Sequence, residues 1–327
     1  MHGRPADISD ARVAAALLEE WALAAAGLEY LPVGFGGYHW LATESAGRRW
    51  FVTLSELDAA GGERAFADLA AAMRTAAGLA AAGLGFVVAP QPSEAGPAVV
   101  RLGPRYAMAL FPYCDGVPGR WGEPLTGSDR LTLITMLAEL HGVSVDSVDM
   151  DCVPVRGLDL ANREVLDLSL RERGSAWAGG PYSEPARDLL DSRGPQLARE
   201  LERFDALTAE VAGDGRPLVI THGEPHPGNL VRAADRFLLV DWDTVGLAPP
   251  ERDLWSILTA SGAEAARYAE LTGRSVSAAA IEFYRLRWAL DDISLILAEF
   301  RSPHSRTADT DVSWAAFRSY LEALPSR

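Results

Sequence analysis

A chain of 327 residues with 48% hydrophobic residues, a mean hydropathy of +0.01 and a formal net charge of −15 can bury a large core, and exceeds the ~100–200 residues typical of one domain. The acidic balance excludes a nucleic-acid-binding surface and suits a cationic partner or high solubility. No apolar run approaches the ~20 residues that span a bilayer, the N-terminus carries no signal-peptide core, and Cys114 and Cys152 are too few for a disulfide framework, so a cytoplasmic monomer without a membrane partner is expected.

Residues 10–26 read as an Ala/Leu-rich helix, capped by Asp7 or Ser9 and stopped at Gly27. Residues 30–33, a glycine-rich turn at Gly34, Gly36 and Gly37, then residues 38–43 and 50–54 predict a β-meander. Residues 63–82 are helical, 86–89, 98–102 and 106–113 predict strands, and 115–119 read as a Gly/Pro linker. Beyond it the pattern turns mostly helical over 128–142, 158–173, 185–211 and 281–300, with short strands at 218–221, 230–232 and 237–240. Strands, a hinge and then helices describe an α+β bilobal protein: an N-terminal lobe over 1–112, a hinge near 111–117 and a C-terminal lobe over 113–327.

The most informative stretch runs from Leu218 to Leu254. It holds THGEPHPGNL, then an apolar run closed by VDWDTVG, then PPERDL. Phosphoryl transfer needs an acceptor hydroxyl held in line with the γ-phosphate, a group to orient or deprotonate it, and metal-borne neutralisation of charge. One carboxylate near the hydroxyl, with one amide oxygen and one further carboxylate on metal, is the minimum set. Glu224 lies five residues before Asn229, and Asp241 closes the following strand pair, which is the spacing of a kinase catalytic loop and its metal-binding Asp.

Zinc readings of the same letters fail. His222 and His226 stand four apart, but Pro225 and Pro227 exclude a regular helix between them. The His-x-Glu at 222–224 lacks the downstream Pro-Cys-x-x-Cys of zinc deaminases, since no Cys follows Cys152.

The run His222-Gly223-Glu224-Pro225-His226-Pro227-Gly228-Asn229-Leu230 resembles the HGDxHPGN loop of the aminoglycoside phosphotransferase family, and Val240-Asp241-Trp242-Asp243 resembles its [IV]DW[DE] element. The resemblance is to its spectinomycin phosphotransferase-like antibiotic kinases and implies a protein-kinase-like fold. It places Glu224 where the family has its catalytic Asp, Asn229 and Asp241 as Mg²⁺ ligands, and His222 and Asp253 as braces of the C-terminal lobe. In the N-terminal half, Gly34-Phe35-Gly36-Gly37 resembles a loop covering the nucleotide. Leu110-Phe111-Pro112-Tyr113 resembles the adenine-reading hinge, with the Pro112 carbonyl and Cys114 N–H toward the base and Phe111 beneath it.

All 30 residues counted as Lys or Arg are arginine, so the family's phosphate-gripping lysine is absent and Thr53 takes its place in the third strand. Arg49 in the same strand and Arg74 on the next helix are the candidate replacement cations. Acidic residues near the C-terminus hold substrate amines in the resembling family, which points to Asp291 and Asp292, beside Tyr284 and Trp288, with Glu282 and Glu299 further along. The expected reaction is Mg²⁺-dependent transfer of the γ-phosphate of ATP or GTP to a hydroxyl of a small cationic metabolite of the aminoglycoside or aminocyclitol kind. The alternatives are a pseudokinase that binds a nucleotide or small ligand with little catalysis, and a metabolite kinase acting on choline, a sugar or homoserine.

Overall fold

The computed structural model describes residues 3–34, 36–57, 62–144, 149, 153–234 and 236–325. Phe35 of the glycine-rich turn and Cys152 lie outside the described residues. Helix α1 (Asp10–Trp21) begins where the Ser9 hydroxyl accepts the Arg12 amide at 3.2 Å, which satisfies one of the unpaired donors of the first turn. It stops at Trp21 rather than at residue 26, because Ala22 turns left-handed at φ 51° and the following alanines are drawn into strand β1 (Ala25–Leu31). Strand pairing here overrides the helix propensity of alanine.

Strand β1 pairs antiparallel with β2 (Gly37–Glu44), and β2 with β3 (Arg49–Glu56). After α2 (Gly62–Ala81), strands β4 (Val99–Leu102) and β5 (Tyr106–Pro112) complete a five-stranded sheet in the order β1-β2-β3-β5-β4. Period-two alternation gives this sheet two faces. Trp40, Trp50, Val52, Leu54 and Met108 are buried against Val13, Leu17 and Trp21 of α1, and His39, Phe51 and Thr53 are half-buried on the other face.

The expected strand at 86–89 is instead a single parallel bridge from Val87 to Leu239: the Leu239 amide donates to the Phe86 carbonyl at 2.8 Å and the Val88 amide to the Leu239 carbonyl at 3.2 Å. This segment ties the sheet to the motif-bearing strands. The remaining elements are β6 (Val117–Pro118), α3 (Gly127–His141), α4 (Arg163–Arg171), α5 (Ser183–Gly213), β7 (Val219–Thr221), β8 (Leu230–Arg232), β9 (Phe237–Leu239), β10 (Gly246–Ala248), α6 (Glu251–Leu254), α7 (Ala263–Thr272), α8 (Ala278–Arg301) and α9 (Ala308–Ala323). Part of the segment read as a linker is therefore a strand: β6 pairs with β8, which pairs with β9, while β10 pairs with β7.

Two compact units result, Met1–Arg156 with Leu218–Ser275, and Gly157–Pro217 with Val276–Arg327. The first carries the sheet and the whole 218–254 motif, so all contacts described below between sheet, hinge and motif lie inside one unit. The second is helical, with α5 packed on α8 and α9 and the rings of Phe204 and Phe283 stacked at 5.1 Å. Helix α9, which periodicity alone did not suggest, opens on a capping box formed by Thr307 and Thr310. Among the described residues no helix is long and apolar enough to cross a membrane.

Candidate active site

The motif loop is held by groups that cannot reach water. Asp253 on α6 is fully buried, and its carboxylate accepts the His222 amide at 2.8 Å and the Gly223 amide at 2.6 Å. His141 of α3 adds a third bond at 3.1 Å through Nε2 and contacts the Tyr268 hydroxyl at 2.8 Å through Nδ1. Nε2–H donating to Asp253 and Nδ1 meeting the Tyr268 hydroxyl use both ring nitrogens. Burial pushes the Asp253 carboxyl up, but the hydrogen bond and charge of His141, with the Arg252 guanidinium, outweigh it and hold the carboxyl below its ordinary value. Arg252 donates to the Thr221 hydroxyl at 2.9 Å, and that hydroxyl donates to the Gly246 carbonyl at 2.8 Å, so α6 also fixes β7.

Gly223 has φ +103°, and a Cβ there would come within 2.3 Å of the Arg252 guanidinium. Gly223→Ala therefore combines left-handed strain with a clash, and we expect a loss of at least about 2 kcal/mol in urea unfolding. An unchanged midpoint would show that the loop has slack.

His222 joins the two halves of the motif. Its Nε2–H donates to the Val240 carbonyl at 2.9 Å, and its Nδ1 accepts the Glu224 amide at 3.1 Å, so the bonds fix a neutral tautomer. Full burial agrees, lowering its pKa from 6.5 to about 4. The Asn229 side-chain nitrogen donates to the Glu224 carbonyl at 3.0 Å, and the Val240 amide donates to the Asn229 carbonyl at 3.0 Å. Glu224, Asn229 and the start of the Asp241 segment are thus locked by one network of backbone and imidazole bonds. The amide nitrogen of Asn229 is committed to the loop, which leaves Oδ1 as the atom to offer a cation.

Asp241 is one of two non-glycine residues at positive φ among the described residues, at 66°. Its carboxyl and that of Asp243 are surrounded by protein yet open to solvent, as groups on the floor of a cleft are. The negative charge of Asp243, then burial, then the charge of Glu224 raise the Asp241 carboxyl well above its usual range. Burial raises Asp243 too, against the charge of Arg156, which bridges the Asp243 carbonyl at 3.2 Å and the Val245 carbonyl at 2.8 Å. Among the described residues no three His, Cys, Asp or Glu side chains form a closed metal cage. The oxygen-only set of Asp241, Asp243 and the Asn229 amide, with carboxylates that repel one another, suits Mg²⁺ or Ca²⁺ held jointly with substrate phosphates.

On the nucleotide side, Gly34, Gly36 and Gly37 form the turn into β2, with φ +70° at Gly34 and +81° at Gly36. Thr53 faces His39 across β2 and β3, and its hydroxyl lies 3.2 Å from His39 Nδ1. Phe111 is half-buried in register with Phe51, and Pro112 with Trp50. The Cys114 thiol donates to the Pro112 carbonyl at 3.8 Å, and burial, with the charge of Asp115, pushes that thiol up. Arg49 stands at the hinge end of β3, ion-paired with Asp115 and 4.4 Å above the Tyr113 ring, four residues along the strand from Thr53. Arg74 is exposed on α2.

The family model of the phosphotransferase enzyme family, APH, matches residues 27–289, most of the chain. The chain belongs to this family. Protein StrN of Streptomyces griseus is 28% identical over 249 residues, which cover 74% of each chain. Among solved structures, spectinomycin phosphotransferase APH(9)-Ia in complex with ADP and spectinomycin superposes with a TM-score of 0.76 at 16% identity, over 97% of both chains. Amicoumacin kinase hAmiN in complex with AMP-PNP, Ca²⁺ and Ami gives 0.61 at 14% identity, over 96% of this chain and 93% of that one. The α+β kinase-like fold expected from the motif is the fold of these phosphotransferases.

Asp291 and Asp292 lie on α8, in the helical unit. Asp291 accepts the Ala161 amide at 3.2 Å and Arg287 Nε at 3.3 Å, and Asp292 accepts the Tyr320 hydroxyl, which also receives the Trp288 indole N–H at 3.2 Å. Burial raises both carboxyls, and the charge of Asp291 adds to the rise at Asp292. Glu282 is paired with Arg203 on the same unit.

Two site residues escaped the sequence reading. Trp121, 57% exposed just past β6, sets its ring edge-on to His226 at 4.5 Å, and His226 Nε2 lies 3.8 Å from a Glu224 carboxylate oxygen. Burial lowers the His226 pKa to about 4, so this contact is not an ion pair at neutral pH. Arg156 is the other. A lone aromatic in a Gly/Pro-rich stretch and a lone arginine 85 or more positions before the carbonyls it bridges carry no local signal; only the pairing of β6 with β8 and of Val155 with Leu247 brings them in.

Proposed function

We propose that the protein transfers the γ-phosphate of ATP or GTP to a hydroxyl of a small cationic metabolite of the aminoglycoside or aminocyclitol class. The observation that carries this reading is the hydrogen-bonded frame in which His222 binds both the Glu224 amide and the Val240 carbonyl, with Asn229 tied to each side. In this reading the lobe over 1–112 covers the nucleotide, the hinge over 111–117 offers it the Pro112 carbonyl and the Cys114 amide above Phe111, and the lobe over 113–327 performs the chemistry in the cytoplasm as a monomer.

Glu224 orients the acceptor hydroxyl and receives its proton as the oxygen–phosphorus bond forms. Its arm is one methylene longer than an aspartate, and two devices set its place: the amide bond to His222 and the rigid Pro225 that follows. Asp241 and Asn229 Oδ1, with Asp243 behind them, would hold Mg²⁺, which supplies neutralisation of the β- and γ-phosphate charge when bound. His226 stands beside Glu224, its Nε2 3.8 Å from a carboxylate oxygen. The relatives crystallised with spectinomycin or with Ami and Ca²⁺ support the substrate class and the divalent ion. The net charge of −15 favours an acceptor that brings amines.

Product formation across a panel of aminocyclitols and aminoglycosides, followed by mass, tests the assignment. Glu224→Gln is expected to lower kcat by about 10²–10⁴-fold with nucleotide affinity unchanged. Equal rates in the two proteins would remove Glu224 from the chemistry. The absent lysine favours a second reading, a nucleotide-binding pseudokinase. Tight nucleotide binding without product on any cationic acceptor, or on choline, sugars or homoserine, is its signature.

A further inference from the structure

The missing lysine leaves the sheet face around Thr53 without an ammonium. We propose that His39, held by Thr53 beneath the glycine-rich turn, is the cation that contacts the phosphates of the bound nucleotide. This rests on the nucleotide-dependent reading above.

His39 is in register with Thr53, so its imidazole shares the sheet face on which a cation at position 53 would stand. The ring is stacked on Phe51 with centroids 5.0 Å apart and planes 28° from parallel, which fixes its plane. Its Nδ1 meets the Thr53 hydroxyl at 3.2 Å. The Nε2 edge turns toward the loop: a Cβ built on Gly34 would lie 3.2 Å from Nε2, and one on Gly37 3.5 Å. Glycine at these positions leaves room beside Nε2 that a side chain would fill. A donor aimed at such a turn is where a phosphate oxygen would be received.

Thr53 is the partner such a switchable cation needs. A hydroxyl donates to Nδ1 while the ring is neutral and accepts from Nδ1–H once the ring is protonated. A carboxylate would hold the ring charged at all times and an ammonium would keep it neutral. The groups facing His39 are Leu31 in register on β1, Phe51 and Thr53 on β3, and Gly34 and Gly37 of the turn, none of which titrates near neutral pH; the titratable charge that acts on the ring is the N-terminal amine. Burial, then the positive charge of the N-terminal amine, lowers its pKa to about 4, so the ring is neutral in the nucleotide-free protein. A phosphate polyanion at Nε2 favours the imidazolium, so binding draws in a proton, and affinity falls as pH rises through the pKa of the complex. The two candidate arginines are placed otherwise, Arg49 on Asp115 and Tyr113 at the hinge, and Arg74 exposed on α2.

Calorimetric titration of the full-length protein with ADP and with adenosine, in two buffers of different ionisation enthalpy at about pH 6.5, tests this. The native protein is expected to take up protons with ADP in excess of those carried by the nucleotide itself, and none with adenosine. His39→Gln should lose that uptake and weaken ADP about tenfold or more, with adenosine binding unchanged as the control for an intact fold. His39→Lys should recover ADP affinity without the proton uptake. ADP affinity and proton uptake that are the same in His39→Gln as in the native protein would overturn the inference and leave the nucleotide reading intact. Failure of the native protein to bind either compound would overturn both.

Discussion

Asp241→Asn will melt a few degrees above the native protein when neither metal nor nucleotide is present, and will transfer phosphate about a thousandfold more slowly. The Asp243 charge, burial and the Glu224 charge all raise the Asp241 carboxyl. A carboxyl whose folded pKa lies above its unfolded one binds more protons in the native state over that window. Native stability therefore falls as pH rises through it, and at neutral pH the ionised Asp241 works against the fold. Asparagine removes the charge, keeps the shape and accepts the left-handed backbone at φ 66°. On the proposed reading, the stability it restores is stability given up for a metal site. Melting curves from about pH 5 to pH 8 should show the gap between variant and native protein widening as pH rises. A variant that melts lower throughout would mean that Asp241 braces the fold.

Asp253→Ala will cost about 3–5 kcal/mol and take activity with it. No substitute keeps the three bonds: alanine leaves the His222 and Gly223 amides and the His141 ring without an acceptor in a site closed to water. Asparagine retains one accepting oxygen and presents an N–H to a donor. The loop carrying Glu224 is hung from these two amides, so the loss reaches the chemistry through position. Chemical unfolding of Asp253→Ala and Asp253→Asn reads this directly, and a shift under about 1 kcal/mol in both would show that the loop is held by other contacts.

The motif stretch was legible because its candidate residues are contiguous. Glu224, Asn229 and Asp241 lie within 18 positions, and the prolines that exclude a zinc helix shape the 3₁₀ turn Pro227–Asn229. Asp253 stood out as a brace by its place after PP, though its two amide bonds belong to the fold alone. What escaped depends on register and long-range packing. His39 and Thr53 are 14 positions apart and meet only because β2 and β3 pair as they do, so a reading confined to arginine looked past the histidine. Trp121 lies just past the 115–119 segment read as linker, and only the pairing of β6 with β8 brings it to the motif. The early end of α1 has the same origin: Ala22 to Ala26 favour helix locally, and an unpaired edge of β2 claims Ala25 onward.

The central claim is that Glu224, Asn229 and Asp241 form one metal-dependent phosphotransfer site. Calorimetric binding of a non-hydrolysable ATP analogue, with and without Mg²⁺, to native protein and to Asp241→Asn tests it most directly. The account predicts that Mg²⁺ tightens binding at least about tenfold in the native protein and has little effect in the variant. The same Mg²⁺ enhancement in both proteins, or none in the native one, would contradict it.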